Sequence, residues 1–222
     1  MSASCAATQV PSWGQWLRTP LAYLRRDRIA EALGLAADSP ALAAVTAQRR
    51  FVWRVEAIVC EYYELRPPSA LAPVNIADMP VLGLPPGWRD DLIRHAGAIV
   101  NAAALTAQIQ AEAVAALKAA IGADAMQTAL SNRQLAAPAT NDNPSPDALI
   151  ERVRRDGRRC VTAWYRAHAA ALTAWLDLGL FDGFEPDGGG AGDDLNGSAV
   201  VRKAARALFD IESLPADEAT RA

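Results

Sequence analysis

Hydrophobic side chains recur every three to four residues along most of this 222-residue chain, which is typical of helices with one buried face. No stretch alternates residue by residue as a half-buried strand does. Serine followed by proline marks two helix starts, because serine caps the helix and proline suits its first turn. The sequence predicts short helices over 12–34, a helix from Pro40 to about Leu65, one from Trp88 to about Ala104, a pair of helices joined at Gly122, the longest helix from Pro146 to about Gly179, and a last helix from Ser198 to about Asp210. Ser12 and Asp124 are further candidates for helix caps. The spacing also predicts inward-facing residues, among them Tyr62, Ile109, Val114, Leu117, Trp164, Trp175, Val200, Val201, Ala204, Leu208 and Ile211.

Three segments between these helices have the composition of linkers: 66–87, 134–146 and 182–197. The first is rich in proline, yet its many aliphatic residues predict that it packs against the core. The last is acidic and glycine-rich, so we expect Asp182 and its neighbours to be plain linker charge. A flexible tail over 211–222 completes the expected layout.

Composition supports a helical fold. Alanine makes up roughly a fifth of the chain, far above its ordinary share. It is the strongest helix former and a weak strand former. Hydrophobic residues amount to 51%, enough for a sizeable core. We therefore expect an all-α protein: one irregular multi-helix domain over 1–210, with a long C-terminal helix and a proline-rich central connection.

Charge and cysteine usage limit the compartment and the partners. The formal net charge is −3 and the isoelectric point is near 5.4, which argues against nucleic-acid binding through a basic field. Cys5, Cys60 and Cys160 are odd in number and widely spaced, so we expect free thiols in a reducing cytoplasm. Neither a signal peptide nor an apolar run of ~20 residues is apparent, so we expect the chain to remain in the cytoplasm.

The sequence offers little candidate chemistry. His95 and His168 lack the H-E-x-x-H context of a metalloenzyme, and a nucleophile elbow of the form G-x-S-x-G does not occur. The glycine run Gly188–Gly192 lacks the preceding strand and the following Lys-Ser/Thr pair of a phosphate loop, so a flexible linker is the simpler interpretation. We therefore assign no catalytic, cofactor-binding or metal-binding residue and expect no cofactor.

Two clusters of arginine are the main candidates for a binding surface. One lies near the N-terminus, at Arg18, Arg25, Arg26 and Arg28, and the other is on the longest predicted helix, at Arg154, Arg155, Arg158 and Arg159. The second set shares one side of the helix at spacings of three and four. Such a set is either a solvated helix face or a docking site for an acidic partner. We predict the second, with these four arginines as partner-binding residues.

The stretch WRDDLIRHAGAIVNAAALTAQIQAEAVAALKAAIGADAMQTALSNRQLA resembles the central block of the YscK/SctK family of type III secretion proteins. The shared features are a helix with a small central residue, a leucine- and isoleucine-rich step, a short helix ending in glycine, and a helix ending in Ala-Leu and arginine. Here they fall at Gly97, at Leu105 and Ile109, at Val114 and Leu117 before Gly122, and at Ala129, Leu130 and Arg133. The segment PSWGQWL, the proline-rich middle and the length are also similar to the family.

The resemblance implies a non-enzymatic adaptor in the sorting platform of the injectisome, on the cytoplasmic face of the inner membrane. Its implied partners are an SctQ-class pod protein and an SctD-class inner-membrane ring protein, near the SctL-class stator, with contact to the membrane through partners only. The alanine and arginine bias resembles plant-associated members, some of which are called nodulation proteins. Two other classes stay open: a helical DNA-binding transcriptional regulator, suggested by the helix pair at Gly122, and an enzyme with an unrecognised site.

Overall fold

The computed structural model describes residues 9–138, 144–186 and 196–212. These residues form α-helices and short 3₁₀ turns, and no strand occurs among them. The predicted all-α class is therefore confirmed. The helices are α1 (Trp13–Arg18), α2 (Arg26–Ala32), α3 (Pro40–Ala47), α4 (Arg49–Tyr62), α5 (Met79–Leu82), α6 (Arg89–Val100), α7 (Ala102–Thr106), α8 (Ala111–Ile121), α9 (Ala123–Ser131), α10 (Pro146–Arg166), α11 (Ala170–Leu176) and α12 (Gly197–Glu212). The 3₁₀ turns are Pro20–Tyr23, Pro68–Ala70, Ile76–Asp78 and Arg133–Leu135.

The chain divides into two compact units, each assembled from segments that are distant in sequence. The first unit combines Pro11–Arg89 with His168–Glu185, and therefore holds α1 to α5 and α11. The second unit combines Asp90–Ala167 with α12, and therefore also holds α7 to α10 and nearly all of α6. The single domain expected over 1–210 stays a prediction.

In the second unit, α6 and α10 cross with their backbones in contact. A Cβ on Gly97 would lie 1.8 Å from the carbonyl oxygen of Val153, and a Cβ on Gly157 would lie 2.0 Å from that of Ile93. Only glycine permits this approach. A buried cluster surrounds the crossing and includes Ala98, Leu117, Ile121, Leu149 and Val153.

The last helix covers another side of α10. Val200, Val201, Ala204 and Leu208 are buried, as the sequence predicts, and so are Ala205 and Phe209. Ile211, also expected on this side, lies outside the described side chains. Gly197 lies at the contact, where an added Cβ would be 3.2 Å from the Cα of Cys160. The helix extends two residues beyond its predicted end at Asp210, to Glu212. The rest of the predicted tail, 213–222, lies outside the described residues.

Tryptophan organises the core of the first unit. The indole Nε1 of Trp16 donates a hydrogen bond to the carbonyl of Leu82 at 3.1 Å, and that of Trp175 donates to Arg66 at 2.9 Å. The Trp16 and Trp175 rings meet edge to face, 6.3 Å between centroids. These bonds hold both ends of the proline-rich segment 66–87, which packs against the core as predicted. Ile76 is the exception, being 86% exposed.

The structure corrects three predicted helices. The helix expected from Pro40 to Leu65 is interrupted at Gln48, whose backbone is extended with ψ of 110°. The helix expected from Trp88 to Ala104 is interrupted at Asn101. There the side-chain amide donates to the carbonyl of Gly97 and to Asp156, at 3.0 and 3.2 Å. Such side-chain bonds compete with regular helix bonding.

The third correction concerns the longest helix. The expected helix from Pro146 to about Gly179 ends at Arg166, and α11 begins after Ala169, whose backbone is extended with ψ of 141°. The break coincides with the passage of the chain from one unit to the other. Packing therefore ends the helix there, since alanine-rich sequence favours its continuation.

Local end signals are confirmed. The hydroxyl oxygens of Ser12, Ser39 and Ser145 each accept a bond from a backbone amide in the first turn of α1, α3 and α10. At Ser12 the capping is reciprocal, because the backbone amide of Ser12 donates a hydrogen bond to Oε1 of Gln15 at 2.6 Å. Gly122 separates α8 from α9 with φ of +86°. Part of the predicted linker 134–146, residues 139–143, lies outside the described residues.

Candidate docking surfaces

The helix α10 presents its arginines from a firmly held element. Its inward side consists of fully buried apolar residues, namely Leu149, Val153, Cys160, Val161 and Trp164. It packs against α8 and α12 within the second unit. An element fixed in this way holds its outward side chains on a rigid base, which reduces the ordering cost of binding.

The four predicted partner-binding residues differ in exposure. The side chains of Arg154 and Arg155 are 67% and 63% exposed, whereas Arg158 and Arg159 are half-buried. Arg154 pairs with Glu151, Nη1 to Oε1 at 2.9 Å. A pair this exposed contributes little to stability, so it leaves the guanidinium available to a partner. We call these four residues the α10 arginine face.

Arg155 is tied to the interior of the second unit. Its Nε donates to Oδ1 of Asp156 at 3.1 Å, and the other carboxylate oxygen accepts from the buried amide of Asn101. Asp156 is only 8% exposed. The structure therefore makes Arg154 the most freely presented member of the face, and Arg155 partly a structural residue.

The N-terminal arginine cluster has a structural role instead. Arg25 and Arg28 both bind the carboxylate of Asp182, at 3.1 and 2.6 Å, within the first unit. The side chain of Asp182 is 14% exposed. The expectation that Asp182 is plain linker charge is therefore wrong, because the two arginines hold the end of the segment His168–Glu185. Its predicted neighbours at 187–195, including Gly188–Gly192, lie outside the described residues.

His95 forms a polar cluster inside the second unit. The imidazole is fully buried, with Nε2 at 3.1 Å from Oδ2 of Asp124 and Nδ1 at 3.1 Å from the hydroxyl of Thr128. Because Nε2 faces a carboxylate, the neutral ring carries its hydrogen there and Nδ1 accepts from the hydroxyl. The sequence suggests Asp124 as a helix cap. Its carboxylate interacts with the backbone amide of Ala125 in the first turn of α9 and also faces His95. A Cβ on Gly122 would lie 2.2 Å from Oδ1 of Asp124, so glycine makes room for it.

The electrostatics of this cluster favour a neutral imidazole beside an ionised carboxylate. Burial lowers the pKa of His95 and outweighs the attraction of Asp124. Burial also acts to raise the pKa of Asp124, but the interactions with His95, the amide of Ala125 and Arg94 prevail and lower it. The cluster joins α6 to α9. Both ring nitrogens of His95 have a partner, whereas Nε of the neighbouring Arg94 is buried without a hydrogen bond among the described residues.

The two described cysteines are held in the thiol form. Burial raises the pKa of the Cys160 thiol to about 12 and also raises that of Cys60, so both are protonated at neutral pH. Cys5 lies outside the described residues. Within 9–138, 144–186 and 196–212, no group of three His, Cys, Asp or Glu side chains is placed to hold a metal ion. A search of the same ranges found no helix with the length and apolar character needed to cross a bilayer.

Sequence reasoning missed a second exposed surface, on α4. Trp53 and Tyr62 are 62% and 52% exposed, although Tyr62 was expected in the buried stripe of this helix. Ile109, expected to face inward with Val114 and Leu117, is 91% exposed because it lies between α7 and α8 rather than on a helix. An apolar residue at a helical spacing gives no signal of which side will face solvent.

The fold and the described surfaces thus define an all-helical protein with outward-facing charged and aromatic helix faces. Comparison with protein-family models, curated proteins and solved structures finds no match to this chain. The resemblance of the central helices to the YscK/SctK family therefore rests on the residues quoted above.

Proposed function

We propose that this protein is a non-enzymatic helical adaptor of the cytoplasmic sorting platform of a bacterial type III secretion system. The observation that carries the adaptor role is the α10 arginine face, which is held outward by a helix whose other side is buried. The assignment to type III secretion is supported by the resemblance of residues 88–136 to the YscK/SctK family. In this proposal the protein links an SctD-class ring protein to an SctQ-class pod protein near the SctL-class stator.

In this proposal the arginines of α10 bind an acidic surface of the partner. Like charges one turn apart on a helix repel each other by a few tenths of a kcal/mol per pair, about 0.2–0.5. Glu151 and Asp156 offset part of that repulsion. An acidic partner surface would relieve more of it, and exposed charges of this kind raise association rates and salt sensitivity more than final affinity. Neither a nucleic acid nor a lipid surface is part of the proposed function, and the membrane is reached through the ring protein.

Charge reversal on α10 tests the proposal. Arg154→Glu, alone and together with Arg158→Glu, should slow capture of SctQ-class and SctD-class proteins encoded in the same genome, at least tenfold at low salt. The reason is loss of complementarity at exposed positions. Association rates by surface plasmon resonance at several salt concentrations provide the measurement. The single variant is decisive because Arg158 is half-buried and its reversal also tests folding.

Arg133→Glu is the matched control for the single variant, and Arg133→Glu with Arg206→Glu is the control for the double variant. Both arginines are exposed in the second unit, and each control changes the net charge as much as the variant it matches. Unchanged capture by Arg154→Glu would remove the arginine face from the interface and direct the search to 66–87. If the wild type bound neither protein but bound duplex DNA with a steep salt dependence, the DNA-binding alternative would replace the adaptor. Genes for a secretion ATPase and ring proteins beside its own gene would support the adaptor.

A further inference from the structure

The helix α4 exposes an apolar side as well as burying one. Val55 and Val59 are buried, while Trp53, Ile58 and Tyr62 are 62%, 41% and 52% exposed. Exposed apolar side chains on a helix are typical of an interaction site. On α4, Ile58 lies nearest the centre of the exposed side, while Trp53 and Tyr62 are about 180° apart and lie at its two edges. The outer face of α4 comprises these three residues with Arg50, Arg54, Ala57 and Glu61, all of them exposed and at helical spacing.

The charges of this face are separated by sign. Arg50 and Arg54 lie in the N-terminal half and Glu61 in the C-terminal half, two turns away from Arg54. No described residue forms an ion pair with any of the three: Arg50 bonds to Gln48, and Arg54 lies over the Trp53 ring at 5.0 Å. Arginines at the start of a helix also oppose its dipole, and α4 has no acidic residue in its first turn to offset them.

We propose that the outer face of α4 docks on the same face of a second copy of this chain, with the two helices antiparallel. A two-fold axis between Ala57 and Ile58 places Arg54 of each copy opposite Glu61 of the other. The pattern is complementary to itself only in this direction, because a parallel pair would bring like charges together. Ala57 provides a small residue at the centre, and the face meets itself as an isologous interface requires.

The expected association is weak. The helix has 14 residues and is therefore about 21 Å long. One helix face of that length buries less than the ~800 Å² per partner of a standard interface. The dimer should thus depend on concentration, and salt should weaken it because its ion pairs lie near solvent. This inference stands independently of the proposed role in secretion.

Charge reversal at Arg54 and Glu61 tests the antiparallel dimer. Arg54→Glu and Glu61→Arg should each be monomeric, because each variant places like charges opposite one another at both symmetric positions. An equimolar mixture of the two variants should form a heterodimer, in which both positions carry opposite charges. The double variant R54E/E61R should dimerise like the wild type. Sedimentation equilibrium measures all four samples, and circular dichroism checks that each is folded.

Arg49→Glu is the matched control, because residue 49 is exposed on the same helix but rotated away from Arg54 by about 140°. It should dimerise like the wild type. A wild type that stays monomeric up to about 1 mM overturns the proposal. So does a mixture of the two variants that remains monomeric. A monomer that instead binds an acidic peptide or anionic vesicles through Trp53 would also overturn it and assign the face to that other partner.

Discussion

At the scale of single residues, His95 shows how burial determines chemistry. Its two ring nitrogens meet Asp124 and Thr128 inside the second unit, with no exposed surface left on the histidine. The hydroxyl of Thr128 also lies 3.0 Å from the carbonyl oxygen of Asp124, so its single hydrogen is shared between two acceptors. A neutral His95 ring has a partner at each nitrogen, so the stability of the fold depends on the protonation state of His95.

Because burial lowers the pKa of His95 in the folded state, the unfolded chain binds a proton more readily than the folded chain. The free energy of unfolding should be insensitive to this group above about pH 6.5, the ordinary histidine value, and should fall as pH drops below it. The measurement is urea denaturation over a pH series in the background of His168→Gln. That background leaves His95 as the one histidine, since the chain has two.

His95→Gln should remove this part of the pH dependence and lower the free energy of unfolding by about 1–3 kcal/mol, through lost bonds to Asp124 and Thr128. If the free energy of unfolding of His95→Gln still falls with pH just below pH 6.5, that pH dependence belongs to another group. The depressed pKa of Asp124 acts at lower pH, because its contribution is lost only as pH falls towards its folded value.

At the scale of elements, the crossing of α6 and α10 depends on two glycines, which have a hydrogen atom where other residues have a side chain. Gly97 and Gly157 each face a backbone carbonyl of the opposite helix. An added Cβ would lie 1.8 Å from the carbonyl oxygen of Val153 at the first position and 2.0 Å from that of Ile93 at the second. Backbone atoms do not yield as a flexible side chain does, so the helices would have to separate. The same separation would disturb the bond between Asn101 and Asp156 beside the crossing.

Gly97→Ala and Gly157→Ala should therefore each destabilise the protein by about 1–3 kcal/mol, despite the better helix propensity of alanine. Chemical denaturation measures the change. Gly14→Ala is the control, because Gly14 lies in α1 and the nearest atom to an added Cβ is 4.0 Å away. It should be neutral or stabilising. Equal effects of all three substitutions would contradict the close crossing.

At the scale of the whole molecule, both contact units are completed by chain that returns from far along the sequence. The first unit needs His168–Glu185, and the second needs α12. Neither unit can therefore form from one continuous stretch. Trp164 in the second unit and Trp175 in the first are 0% and 1% exposed, as expected for both, although the helix predicted to join them is interrupted.

We expect one cooperative unfolding transition, because the connectivity interleaves the two units. Trp164→Ala and Trp175→Ala should each shift that same transition, by about 3–5 kcal/mol of unfolding free energy. Trp53→Ala, at a site 62% exposed, is the control and should change stability by less than about 1 kcal/mol. Denaturation followed by circular dichroism and fluorescence is the measurement. The single domain would be contradicted by two separate transitions, one shifted only by Trp164→Ala and the other only by Trp175→Ala.

The sequence by itself determined the helical class and several helix ends. Ser12, Ser39 and Ser145 cap helices as predicted, and Gly122 ends one, because capping involves only a few consecutive residues. The sequence also places the four arginines on one helix but does not show their different exposure, and their role in binding stays a prediction. Periodicity indicates that a helix has an apolar side, which is a local property of the chain.

Only the tertiary structure decided which sides meet and where packing overrides propensity. It ended α10 at Arg166, buried Asp182 against two arginines, satisfied His95 and left Trp53 exposed. Each outcome depends on groups brought together from distant positions, such as residues 28 and 182 or 95 and 124. A helical repeat of 3.6 residues specifies a face but not its neighbour, and the neighbour determines whether a side chain is core, structural link or docking surface.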